Sequence, residues 1–81
     1  MYSKIIKTVE LENEYILICY NYTVYTYKKD MCVDFSDWYV YNGRLVYFKD
    51  SLKDFVYVPL KRTAVKKVKD KDIKNYYKYM L

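Results

Sequence analysis

The side chains that could do chemistry are few, and what is missing decides more than what is present. The chain of 81 residues contains no histidine. The commonest proton shuttle and imidazole ligand is therefore absent, and with it the Ser-His and Cys-His nucleophile pairs. A single glycine, Gly43, excludes the glycine-rich phosphate loops of the Walker and dinucleotide-binding types. Asp34 and Asp37 flank Phe35-Ser36, and aspartates so placed are turn formers before they are an acid–base pair. Glu10, Glu12 and Glu14 share a strand parity and could gather a cation. Hard cations need six or more oxygens, so three repelling carboxylates at a turn do not suffice. Cys19 and Cys32 have neither CxxC nor zinc spacing and read as free thiols in strands. A bridge between them becomes credible in a hyperthermophile. Asn21-Tyr22-Thr23 matches a glycosylation triplet, which has no meaning without secretion. No catalytic, cofactor-binding or metal-binding residue is assigned, and a non-enzymatic protein without a cofactor is expected.

Charge says more. Residues 1–60 carry seven basic and eight acidic side chains, whereas residues 61–81 carry eight basic ones against Asp70 and Asp72. The formal net charge of +5 is thus concentrated in the last quarter of the chain. The basic patch comprises Lys61, Arg62, Lys66, Lys67, Lys69, Lys71, Lys74 and Lys78. Lysine outnumbers arginine 13 to 2, with one alanine and no glutamine. AT-rich codons alone account for that balance, and a thermophilic host would favour it too. The composition suits a product of a virus or plasmid in an AT-rich host.

Aromatic content is the second feature: 13 Tyr, 3 Phe and 1 Trp give a small chain a large apolar surface. In "WYVYNGRLVYF", Trp38–Phe48, Asn-Gly specifies a two-residue hairpin turn. Tyr41 then opposes Arg44, Val40 opposes Leu45, Tyr39 opposes Val46 and Trp38 opposes Tyr47. One face holds Trp38, Val40, Leu45 and Tyr47, a natural core. The other holds Tyr39, Tyr41, Arg44, Val46 and Phe48, and something must cover it or bind it.

The elements that position these groups follow from periodicity. Tyr2–Leu11 reads as a strand with Ile5, Val9 and Leu11 on one parity. Tyr15–Tyr27 is rich in β-branched and aromatic residues. As one strand it would exceed about 40 Å, so a bend or turn near Asn21 is expected. Lys28-Lys29-Asp30 makes a turn, and Met31–Phe35 a strand. After the hairpin, Lys49–Asp54 is a polar connection and Phe55–Val58 a strand ended by Pro59, which suits an edge. Leu60–Lys69 fits either a helical turn or a short edge strand. Ile73, Tyr76, Tyr77 and Met80 recur at helical spacing, with Asp70 or Asp72 as cap and Lys78 near the negative end.

The expected fold is one α+β domain over 1–81: a small curved, mainly antiparallel sheet of five or six strands with a C-terminal helix packed against it. Residues 1–60 form the β-rich part, 61–71 the basic segment and 72–81 the helix. The N-terminus is too charged for a signal peptide and no run is long enough for a membrane helix, so an intracellular, cytoplasmic protein is expected. Its expected role is non-catalytic docking on a host protein with an acidic surface, as an inhibitor or accessory factor. Tyr39, Tyr41 and Arg44 would be the anchor and the basic segment the steering charge. The alternative is direct DNA or RNA binding, with the basic segment on phosphates and the tyrosines on bases. Homodimerisation through the hairpin or an edge strand is compatible with both.

Overall fold

In the computed structural model, residues 1–29 and 32–81 are described. Asp30, the end of the expected turn, and Met31, the start of the expected strand Met31–Phe35, lie outside them. The strands are β1 (Ser3–Glu10), β2 (Glu14–Cys19), β3 (Val24–Lys28), β4 (Trp38–Tyr41), β5 (Arg44–Lys49), β6 (Asp54–Tyr57) and β7 (Lys66–Lys67), followed by a 3₁₀ helix, Asp70–Tyr79. They form one antiparallel sheet in the order β6-β5-β4-β1-β2-β3-β7. Seven strands replace the expected five or six, because the basic segment contributes the two-residue β7.

The sheet curls without closing. Among the described residues no strand ladder joins its two ends, but the segment 63–68 laces the β4–β5 hairpin to β3. Leu45 N–H donates to the Thr63 carbonyl and Val65 N–H to the Gly43 carbonyl, both at 2.8 Å. Arg44 and Ala64 face each other in a single bridge. On its other side the same segment pairs Lys66 and Lys67 with Thr26 and Tyr25 of β3. The Tyr27 hydroxyl donates to the Arg62 carbonyl at 2.8 Å and pins the approach to this segment.

The curl begins at a bulge in β1. Ile5 pairs with Cys19 and Lys7 with Ile18, so Ile6 is an extra residue. An inserted residue bends the strand and reverses the faces beyond it. Ile5 therefore points into the main core with Tyr15, Leu17, Cys19, Tyr27, Phe35, Val40, Leu45 and Val58. Val9 and Leu11 pack instead in a second cluster around Ile16, Ile18 and Val24. The single parity expected for Ile5, Val9 and Leu11 is thus corrected: the bulge divides them between two faces. β2 serves both clusters, and its residues Tyr15–Cys19 are all buried, which accounts for its unbroken apolar run. The turn expected near Asn21 is present, with Tyr22 at φ 64° and Thr23 N–H donating to the Asn21 side chain.

The 3₁₀ helix covers the outer face of β1–β3. Ile73, Tyr76, Tyr79 and Met80 pack over Ile16, Ile18 and Val24; full burial of each such aliphatic side chain is worth about 1.5–3 kcal/mol. The expected α-helical stripe included Tyr77, which is 55% exposed. Three residues per turn aligns 73, 76 and 79 instead and turns Tyr77 outward. The expected aspartate cap is also corrected: the residue before the first turn is Lys69, with no side-chain cap. Asp70 and Asp72 lie within the first turn, where carboxylates favour the positive end of the helix. Among the described residues no helix is long and apolar enough to cross a membrane.

Candidate functional site

The hairpin has the register that its sequence specifies, Tyr41 opposite Arg44 through Trp38 opposite Tyr47. Asn42 and Gly43 both take positive φ, 50° and 73°, as a type I′ turn requires. Val40 and Leu45 are buried inside, with Trp38 and Tyr47 packed beside them. Among the described residues no helix packs on the opposite face of β4–β6, since the 3₁₀ helix lies over β1–β3. By strand pairing this outer face carries Lys4, Tyr39, Tyr41, Arg44, Val46, Phe48, Phe55 and Tyr57. Two cations and no carboxylate stand among these eight.

The rings on this face largely cover one another. Tyr2 stacks on Tyr41 at 4.3 Å between centroids and on Phe55 at 3.9 Å. Phe55 also meets the edges of Tyr39 and Phe48. Tyr39 and Tyr41 are half-buried, while Phe48 and Tyr57 are 43% and 61% exposed. The Arg44 guanidinium lies 5.5 Å from the Tyr57 ring centre, close enough for a cation–π contact. Tyr2, Tyr41, Val46, Phe55, Val56 and Tyr57 line an open depression of about 340 Å3. Burial and the nearby Tyr41 and Asp54 raise the Tyr2 hydroxyl pKa, so the ring stays neutral at physiological pH.

The basic residues sort into two groups. Lys66, Lys67, Lys69 and Lys71 line a depression of about 460 Å3 at the junction of β7 and the helix, with Glu14, Asp72, Asn75 and Tyr76. A second depression of about 340 Å3 adjoins it, sharing Glu14, Thr26 and Lys66 and adding Lys28 and Arg62. Lys61, Lys74 and Lys78 line neither; the Lys78 ammonium sits instead 5.2 Å from the Tyr79 ring centre. Eight sequence-adjacent cations thus reduce to five in one trench, joined by Lys28 from β3.

Trench and aromatic face are continuous. The second depression reaches Ala64, which faces Arg44 across the bridge. Arg44 in turn rests on Tyr57, at the rim of the aromatic depression. Tyr39, Tyr41, Arg44 and the basic segment are the residues that the sequence singles out. It does not single out Tyr2, Phe55, Tyr57 and Lys28, whose places depend on ring stacking and on the β5–β6 and β3–β7 pairings that no turn motif announces.

The other candidates resolve into local structure. Asp34 accepts bonds from Ser36 N–H at 3.0 Å and Ser36 Oγ at 2.7 Å, which hold its carboxyl below the usual range. Glu10 pairs with Lys29. Among the described residues no three His, Cys, Asp or Glu side chains gather as a metal site needs. Cys19 is buried and Cys32 exposed, both free. Burial pushes the Cys19 thiol up to about 11, so it stays protonated and unreactive. The expectation that both thiols sit in strands is corrected for Cys32, whose segment pairs with none.

Two local features reduce the free donors along the β6 edge. Phe55 N–H is taken by the Asp54 carboxylate at 2.7 Å, and Pro59, two residues beyond the strand, offers no donor. Comparison of the chain with protein-family models, with curated proteins and with solved structures finds no match.

Proposed function

We propose that the domain binds single-stranded nucleic acid along the belt formed by the basic trench and the aromatic face, without catalysis. Of the two expected roles, the geometry favours this one over docking on an acidic protein. The observation that carries the reading is the Arg44–Ala64 bridge, which makes one surface of two features that the sequence keeps 20 residues apart. Binding a single strand without catalysis calls for two things, a cationic groove that tracks phosphates and rings on which bases stack. An acidic protein would use the charge for steering and would need pockets for its anchoring side chains. The deeper part of the trench is lined chiefly by the side chains of Lys66, Lys67, Lys69 and Lys71, which suit a string of phosphates better than an apolar anchor.

The lysines suit a sequence-tolerant role. Lysine acts as a point charge on phosphate, whereas arginine reads base edges bidentately. Arg44 is the one arginine on the aromatic face, so base discrimination is weak. Self-association through the same face would set Lys4 and Arg44 of one copy against those of the other.

Fluorescence anisotropy of a labelled oligothymidylate tests the reading. Affinity is expected to fall steeply with salt, about fiftyfold between roughly 50 and 200 mM if about four phosphates are engaged. Absence of binding at the lower salt overturns the reading and leaves the aromatic face to a protein partner.

A further inference from the structure

We infer that Tyr41 and Phe55 are the walls of a slot for one nucleobase, and that Tyr2 is its resident stand-in. The inference rests on the nucleic-acid reading above and adds the position and chemistry of one subsite. The Tyr2 ring is inclined by only 17° to Tyr41 and 16° to Phe55, at 4.3 and 3.9 Å. Two rings so close and so nearly parallel to a third cannot share one side of it without overlapping. Tyr41 and Phe55 therefore flank Tyr2, one on each face.

Tyr41 on β4 is level with Arg44 of β5, and Phe55 on β6 is level with Phe48 of the same strand. The two walls therefore stand on a diagonal across β5, two strands and four residues apart, and their rings converge on Tyr2 above the middle of that strand. The strand between supplies the floor: Val46 is 3% exposed and lines the same depression as Tyr2, Tyr41 and Phe55. An empty slot would leave Val46 wet, so a flat apolar ring is the shape that it accepts.

Tyr2 is suited to leave. It precedes β1 and belongs to no strand pair, so its departure breaks no ladder hydrogen bond. It stays 41% exposed even when stacked. A base can replace its two ring contacts and also place its phosphate toward Arg44 at the end of the trench. Lys4 lies on the same face and adds a second cation, while Asp54 is a carboxylate close enough to Tyr2 to raise its hydroxyl pKa. The phosphate of a bound base is therefore expected on the Arg44 side of the slot, and that cation favours a nucleobase over a partner's uncharged aromatic side chain.

An oligothymidylate carrying one 2-aminopurine tests the slot, because stacking on both faces quenches that base. Wild-type protein should quench it, and Tyr2→Ala should quench it at several-fold lower protein concentration, with no ring left to displace. Tyr2→Leu keeps Val46 covered without a stacking ring and should also tighten binding. Tyr41→Ala and Phe55→Ala should each weaken binding about tenfold and abolish the quench. Weakening by Tyr2→Ala to the level of Tyr41→Ala would overturn the inference, since Tyr2 would then be a wall and not a plug. Salt-dependent binding with no quench would overturn the slot alone. Failure of every variant to bind any oligonucleotide would remove the nucleic-acid reading and the slot with it.

Discussion

Replacing Lys66 and Lys67 together by glutamate is expected to lower oligonucleotide affinity about a hundredfold at low salt and to flatten the salt dependence by a slope of about 1–1.5. Both side chains are exposed and both line the trench. Their backbones hold β7 against β3, and that pairing does not depend on what the side chains carry. Surface exchanges of this kind usually change stability by no more than about 0.5 kcal/mol. The loss should therefore appear in anisotropy titrations with an unchanged melting curve. Lys74→Glu with Lys78→Glu is the matched control, since it makes the same charge change outside the trench. Equal losses for both pairs would show that net charge alone attracts the strand and that the trench has no special part.

The second large effect concerns the core. Phe35→Ala is expected to cost about 3–5 kcal/mol, roughly a 20 °C fall in melting temperature for a domain of this size. Phe35 is 3% exposed although its segment belongs to no strand. Its ring meets those of Tyr15, Tyr27 and Trp38 edge-on at 4.9, 5.8 and 5.6 Å. The same segment is held at Val33, whose N–H donates to the Tyr15 hydroxyl at 3.2 Å. It connects β3 to β4, which lie on either side of β1 and β2, and plugs the main core with one ring. Thermal melts followed by circular dichroism check this, and a cost below about 1 kcal/mol would contradict the plug.

What the sequence reveals and what it hides follow from how local each signal is. Asn42-Gly43 dictates its own turn, and a turn dictates register, so every pair from Tyr41–Arg44 to Trp38–Tyr47 is legible residue by residue. The break at Asn21 is legible because an unbroken strand over Tyr15–Tyr27 would outgrow the domain. Helix placement is legible too, but its pitch is not. Ile73 and Tyr76 fit both periods, and only packing on Ile16 and Ile18 separates Tyr77 from Tyr79. The bulge at Ile6 left one faint trace, an apolar residue on the polar parity of β1. Val33 and Phe35 alternate like a strand yet find no partner, because alternation reports burial on one side and not pairing.

The site divides in the same way. Tyr39, Tyr41 and Arg44 share a face because the hairpin puts them there. Phe55 and Tyr57 join them only through the β5–β6 register, in which Phe48 opposes Phe55 and Val46 opposes Tyr57. Tyr2 joins by stacking, a contact across nearly 40 residues of sequence to Tyr41. The lysine-rich string looks like one patch in sequence, but β7 and the helix turn its members in different directions. Lys28 is drawn in because β3 runs beside β7.

In binding, trench and aromatic face should act as one surface. Amide chemical-shift mapping during titration with a short oligothymidylate at low salt tests it directly. Residues of the trench, Lys66 through Lys71, and of the aromatic face, Tyr41, Arg44, Phe55 and Tyr57, should shift together along a single saturation curve. Shifts confined to one of the two regions, or separate curves for each, would contradict it.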